Sequence, residues 1–238
     1  MGSKFLTAGW RKLAMANYAV DASLLAPFVP AATELDTWNN RCFVSLVGFM
    51  FLDVRLKGIP VPFHRNFEEV NLRFYVRHKS AAGEWRRGVV FIKEIVPKPA
   101  ISFVAKTVYK EKYETMPMDH RWLTGENELE VEYRWKKKSW HTFSVKAENR
   151  LQDILPGSME EFITEHYWGY TKTGEKNTSE YPVEHPRWQV YPVNSFRIDV
   201  DFREIYGDAF HILNAGQPAS VLLAEGSEIV VRSGNKIT

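Results

Sequence analysis

Residues 58–77 read GIPVPFHRNFEEVNLRFYVR. The prolines and Gly58 break the chain, and His64, Arg65, Asn66, Glu68 and Glu69 follow in a tight polar group. From Phe67 to Arg77 the sequence then alternates. Val70, Leu72, Phe74 and Val76 fall on one side, and Glu69, Asn71, Arg73, Tyr75 and Arg77 on the other. Successive strand residues point to opposite faces, so this pattern predicts a β-strand with one apolar and one polar side. Five polar positions in register suit either a wet outer surface or the wall of a cavity. Which of the two it is decides whether this strand carries chemistry.

The neighbouring segments also read as strands. Cys42 to Asp53 (CFVSLVGFMFLD) is apolar on both faces, as a doubly buried strand would be. Gly83 marks a turn into a second strand, Trp85 to Val96. Pro97 and Pro99 stop that strand, and residues 100–112 carry a helical spacing of Ile101, Val104, Ala105 and Val108, which leaves Lys98 at a strand-to-helix corner. Glu128–Trp135 and Trp140–Ala147 alternate strictly and predict a hairpin. Asp21 caps a short helix ended by Pro27 and Pro30, and Ser158 with Glu161 forms a capping box ahead of a helix through Phe162 to His166. Tyr167–Lys172 and Trp188–Arg197 read as strands, Phe202–Phe210 as a short helix, and Ala219–Arg232 as a hairpin turning at Glu225–Gly226. Many strands, few helices and no repeat predict one mostly β domain over residues 1–238. Its antiparallel sheet is expected to close into a barrel or cone around an internal pocket.

Composition agrees with a β-rich globular protein. Of 238 residues 14% are aromatic, with 8 Trp, and such side chains favour strands. A net charge of +2 provides no broad basic field, which argues against nucleic acid or an anionic membrane as partner. The run Lys136–Lys138 follows Glu126, Glu128, Glu130 and Glu132 and reads as a solvated turn. The single cysteine, Cys42, sits in an apolar run and excludes an intrachain disulfide. No basic-then-apolar leader opens the chain and no apolar run is long enough to span a bilayer, so the expectation is a cytoplasmic protein. The aromatics Tyr167, Trp168 and Tyr170 are the candidate subunit interface of a homo-oligomer, with a core strand as the plainer reading.

Motif chemistry is sparse. The seven histidines are scattered, no paired-histidine or paired-cysteine metal motif occurs, and Glu165–His166 is an isolated pair at a helix end. No nucleophile elbow and no Gly-rich phosphate loop is present, so no metal and no nucleotide cofactor is expected. The strand 89–96 is more informative. Strict alternation puts Val89, Phe91, Lys93 and Ile95 on one face and Val90, Ile92, Glu94 and Val96 on the other. Lys93 and Glu94 thus stand in apolar surroundings, where a lone charge is costly and a partner is expected. Arg73 is the candidate partner of Glu94, and Glu69 that of Lys93. A structural ion pair within the sheet and a catalytic role for Lys93 or Glu94 both remain open.

Several segments carry a family likeness. Leu24–Asp36 (LLAPFVPAATELD), Val44–Phe51 and Val90–Lys98 (VFIKEIVPK) resemble the acetoacetate decarboxylase-like superfamily. FHRNFEEVNLRFYVR (63–77) with GVVFIKEIVPKPAI (88–101) is similar to its bacterial YqjF-like family, which has no established activity. The resemblance implies a cone-like antiparallel β-barrel with flanking helices and an internal pocket. It also implies a lysine forming a Schiff base with a β-keto acid, activated by a second lysine beside it. Pro97–Lys98 corresponds to that corner, but Pro99 replaces the second lysine, and Ser45, Val44 and Val47 stand where the superfamily has a pocket glutamate.

In such a barrel the Val70, Leu72, Phe74 and Val76 face would pack under the flanking helices. Glu69, Asn71, Arg73, Tyr75 and Arg77 would then look into the pocket, with Arg73 as the clamp for a carboxylate. His64 and Arg65 would lie on a loop at the barrel mouth, either as gating or ligand contacts or as turn structure alone. Two functions follow. One is an enzyme acting on a small carboxylate or keto acid by acid–base chemistry of Glu69, Lys93 or Glu94, without a secure Schiff-base lysine at Lys98. The other is a non-catalytic small-molecule-binding protein of the same fold.

Overall fold

The structure, a computed structural model, describes residues 2–99 and 112–238. The helix expected at 100–112 falls on residues outside this set. Four long strands begin the fold: β1 (Lys4–Val20), β3 (Cys42–Leu56), β5 (Phe67–Lys79) and β6 (Trp85–Val96), with the short β2 (Glu34–Leu35) and β4 (Ile59–Pro60) between them. β7 (Tyr113–Thr115), β8 (Met118–Thr124), β9 (Glu128–Lys136), β10 (Trp140–Glu148) and β11 (Gln152–Asp153) follow. After a helix over Met159–Thr164 come β12 (Trp168–Lys172), β13 (Thr178–Glu184), β14 (Gln189–Tyr191) and β15 (Val193–Asp199). A helix over Phe202–Tyr206 precedes β16 (Ser220–Arg232) and β17 (Asn235–Ile237).

The strands form two sheets. In the larger, the order β16–β1–β3–β5–β6–β12–β13 is hydrogen-bonded throughout, and β13 pairs in turn with β16 through Val183–Val231. The pairing is antiparallel except where β6 meets β12 and β7. The smaller sheet runs β15–β10–β9–β8. The fold is mostly β, as the sequence predicts. Asp21 caps the short helix Ala22–Leu25, and Ser158 caps Met159–Thr164 by accepting from the Glu161 amide.

The larger sheet buries both faces. Val70, Leu72, Phe74 and Val76 of β5 share one core with Leu129, Val131, Tyr133 and Trp135 of β9 and Phe143 and Val145 of β10. Leu25, Phe202 and Ile205 of the short helices join the same core, so the second sheet adds to the flanking helices expected from sequence. The alternation of β9 and β10 accounts for the second sheet's part, because each strand turns one largely apolar face inward. The opposite face of the larger sheet builds a second core from Leu13, Met15, Val47, Phe49, Phe51, Phe67, Tyr75 and Trp188.

Three local departures from the sequence reading have physical causes. Leu72 pairs with Lys93 but Arg73 pairs with Phe91, so Ile92 is an extra residue and β6 bulges there. Beyond the bulge the faces exchange. Phe91 and Glu94 turn to one side, and Ile92 and Ile95 join the core on the other. The expected hairpin at Glu225–Gly226 is instead one strand, β16, running on beside β1. Gly226 has φ +83°, and a Cβ there would lie 2.1 Å from the Trp10 carbonyl oxygen, so the glycine permits a close backbone crossing rather than a chain reversal. Finally, Trp188–Arg197 is not one strand. The chain passes from the larger sheet to the smaller at Pro192, which has no N–H to continue a ladder.

Candidate functional site

The second core does not close completely. It surrounds a cavity of about 130 Å³. Glu69, Asn71 and Arg73 of β5 line it, and the bulge at Ile92 brings Val89, Phe91 and Glu94 of β6 in beside them. From Glu69 to Arg73 the polar face of β5 is therefore cavity wall, whereas Arg77 at its far end pairs with Glu34 outside the cavity. Tyr113 comes from β7, and Thr164 and His166 from the helix end before β12. Trp10, Phe49 and Trp188 supply much of the remaining apolar lining.

Glu69 is 2% exposed. Its Oε1 accepts from Asn71 Nδ2 at 3.0 Å, and its Oε2 from Tyr113 Oη at 3.2 Å. Burial raises its pKa to about 7 against the opposing pull of those two donors and of the Arg73 charge. Tyr113 is also within reach of Glu94. Burial first, then the two carboxylates, push its phenol well above the usual range.

Arg73 is 7% exposed and forms no salt bridge among the described residues. Its Nη2 lies 3.8 Å from Met15 Sδ, its guanidinium stands 5.8 Å from the Tyr75 ring centre, and its Nε is buried without a hydrogen-bond partner in that set. A buried guanidinium with five donors and no carboxylate is prepared for an anion.

His166 sits across the cavity. Its Nε2 lies 3.1 Å from Asp36 Oδ2, and the same oxygen accepts from Arg87 Nε at 2.6 Å. Burial outweighs the Asp36 contact and lowers the imidazole to about pKa 4, so the ring is neutral near pH 7. With Nε2–H donated to Asp36, Nδ1 is left as an acceptor, and no described residue occupies it. His185, depressed chiefly by burial, stacks on Trp188 with ring centres 4.3 Å apart.

The sequence-predicted residues divide cleanly. Glu69, Asn71, Arg73 and Glu94 meet at the cavity. Tyr75 stands behind it, with its Oη 2.6 Å from Ser45 Oγ and its ring 4.7 Å from that of His166. Lys93 points to the other side of β6, where Glu114 at 2.7 Å and the Ile205 carbonyl hold its ammonium. The expected Lys93–Glu69 pairing is therefore not made, while Arg73 and Glu94 line the same cavity. Lys98 lies past the end of β6 and does not line the cavity. His64 bonds the Pro62 carbonyl and Arg65 pairs with Asp53, both outside the cavity. Tyr113, His166, His185 and Asp36 were not marked by any sequence motif. They come from distant segments, and the isolated Glu165–His166 pair was their only local trace. Among the described residues no three His, Cys, Asp or Glu side chains converge to hold a metal. No helix in that set is long and apolar enough to cross a membrane.

Comparison with known proteins agrees with this architecture. The model of the DUF2071 family, described as uncharacterized conserved proteins, matches residues 7–228. The uncharacterized protein YqjF of Bacillus subtilis is 40% identical over 75 residues, a stretch covering 31% of each chain, so the match spans about a third of that relative. Acetoacetate decarboxylase of Legionella pneumophila superposes with a TM-score of 0.66 at 12% identity, over 98% of this chain and 87% of its own. The enduracididine biosynthesis enzyme MppR, solved in complex with pyruvate, gives 0.68 at 12% identity, over 100% and 91%. At such identities the likeness is one of fold.

Proposed function

The chain belongs to the DUF2071 family, a YqjF-like family with the acetoacetate decarboxylase-like fold, and we propose that its cavity binds a small carboxylate or keto acid and moves a proton on it. We read the returning strand path β16–β1–β3–β5–β6–β12–β13 as a closed barrel around that site. The observation that carries the functional reading is Arg73: a buried cation beside an apolar cavity, with no carboxylate bound to it among the described residues. A ligand carboxylate supplies the missing anion, and the low-dielectric surroundings strengthen the pair.

Glu69 is the proton carrier. A carboxyl group poised at about 7 is populated in both forms near neutrality, as a general acid or base requires. It takes the proton from a carbon α to the ligand carbonyl and returns it to the product. Neutral His166 offers Nδ1 as an acceptor for a ligand hydroxyl. Glu94 shares the cavity wall and Tyr113, and is the second candidate carboxyl group. The proposed chemistry, proton transfer at Glu69, is non-covalent. In the second reading, a binding protein without catalysis, Arg73 anchors the same carboxylate and no proton moves.

Pyruvate and acetoacetate, incubated with the protein in deuterated buffer, separate these readings. Protein-dependent deuterium exchange at the α-carbon, lost in Glu69→Gln, supports the enzyme. Binding in calorimetry without exchange leaves the binding protein. No binding by either acid, in wild type or Arg73→Met, rejects the proposal.

A further inference from the structure

The cavity is chemically graded along its length. Glu69, Asn71 and Arg73 follow one another along β5, with Glu94 opposite Asn71, and set the polar stretch of the wall. Past Glu69 the next inward residue of β5 is Phe67. Opposite these two on β3 stand Phe49 and Phe51. Further along the same face, Val54 and Leu56 continue the lining, and Leu6 pairs with both Leu56 and Val231. From Arg73 to Phe67 the strand advances about 20 Å at its usual rise, and the lining beyond Glu69 is apolar along that wall.

This apolar end leads toward the surface. Phe67 and Val54 are buried, but Leu6, Leu56 and Val231 are half-buried. Ile59, paired with Leu56, is 70% exposed, and Phe63 in the same loop is 91% exposed. A site for pyruvate-sized ligands alone needs no such wall, since an apolar lining without a matching ligand group adds nothing to binding.

We propose that the natural ligand is an amphipathic carboxylate. Its carboxyl head meets Arg73, and an apolar tail of medium-chain length lies along Phe67, Phe51, Val54 and Leu56 toward Leu6 and Val231. The inference rests on the carboxylate reading of Arg73 and narrows it to a substrate class.

Calorimetry with pyruvate and its straight-chain homologues, 2-oxohexanoate and 2-oxooctanoate, tests it on the full chain. Burial of each added methylene tightens binding by about fourfold while the tail has apolar wall to cover. Val54→Thr and Val231→Thr, close in shape but polar, lower that gain across the series. 1-Octanol, which has the tail and no carboxylate, binds far more weakly than 2-oxooctanoate. If pyruvate binds as tightly as the longer acids, the tail is wrong and the Arg73 reading stands. If octanol binds as well as 2-oxooctanoate, or if Arg73→Met binds every acid as wild type does, the head-group reading falls and this inference with it.

Discussion

Glu69 and Arg73 share one face of one strand, and they do not pair. Asn71 stands between them in sequence and donates to Glu69, whose other oxygen takes the Tyr113 hydroxyl. Among the described residues Arg73 faces the Met15 thioether and the Tyr75 ring. An internal ion pair would have neutralised both groups and occupied the Arg73 guanidinium. Kept apart, the acid stays near the pKa that proton transfer needs and the cation stays available to a ligand.

Arg73→Met follows from that separation. It preserves an unbranched apolar stem and removes the charge. Loss of charge-assisted hydrogen bonds weakens carboxylate binding by roughly 10- to 100-fold. The fold does not suffer, because a buried cation with no carboxylate partner among the described residues costs stability rather than adding it. Calorimetry should show the weaker affinity, and thermal unfolding a midpoint equal to or above wild type. A large fall in the midpoint would mean that Arg73 is a structural group.

Glu69 links stability to pH in an unusual direction for an acid. Its folded pKa, about 7, lies above its ordinary value of 4.5. Between those values the folded state holds the extra proton, so stability is greatest below about pH 4.5 and declines as pH rises through 7. The difference amounts to about 3 kcal/mol at the order-of-magnitude level. Glu69→Gln keeps an uncharged side chain there and flattens this part of the profile in denaturant titrations. An anionic ligand held by Arg73 also disfavours ionised Glu69. Carboxylate affinity therefore drops above pH 7 in the wild type and less so in Glu69→Gln.

The polar face of β5 was legible because its partner face is wholly apolar, and only one orientation buries Val70, Leu72, Phe74 and Val76. β6 offered no such guide. Val89–Val96 is apolar on both sides, so an inserted Ile92 exchanges the faces without exposing anything, and strict alternation put Phe91 with Lys93 rather than with Glu94. Gly226 resembled a turn because a left-handed glycine serves a hairpin and a close crossing equally well. His166 and Tyr113 lie far from β5 in sequence, and only tertiary pairing carries them to it. The hairpin of β9 and β10 was readable from alternation, but its packing on β5 was not, since either a sheet or a helix could cover an apolar face.

His166 behaves in the opposite sense to Glu69. Burial holds its folded pKa at about 4, below the ordinary 6.5. The unfolded chain takes the proton first, so this contribution is complete above about pH 6.5 and is lost as pH falls toward 4. Nitrogen chemical shifts of the labelled ring should report a neutral Nε2–H tautomer at pH 6. A protonated ring at that pH would show that water reaches it and that Nδ1 is no acceptor for a ligand.

Lys93 and Lys98 should remain unmodified when the protein is treated with pyruvate or acetoacetate and borohydride. Lys93 is held by Glu114 and the Ile205 carbonyl on the far side of β6, and Lys98 lies off the cavity wall. Peptide mapping by mass spectrometry reads the result. A reduced adduct on Lys93 would require β6 to turn its bulge the other way.

Gly169→Ala tests the wall of the cavity itself. Gly169 on β12 pairs directly with Tyr181 on β13, and the Tyr181 ring lies over it, so that a Cβ would meet the ring at 2.1 Å. The added methyl cannot be absorbed without moving the ring, and overpacking of this kind typically costs about 1–3 kcal/mol. Both residues line the cavity, so a ring displaced inward narrows it. Two effects are expected together: a lower unfolding midpoint, and weaker binding of bulky acids than of pyruvate. Gly169→Ala with Tyr181→Leu exchanges the ring for a smaller side chain and should recover most of both losses. If the double variant regains stability but binds bulky acids no better, the ring's place over Gly169 governs packing alone, and the cavity is bounded elsewhere.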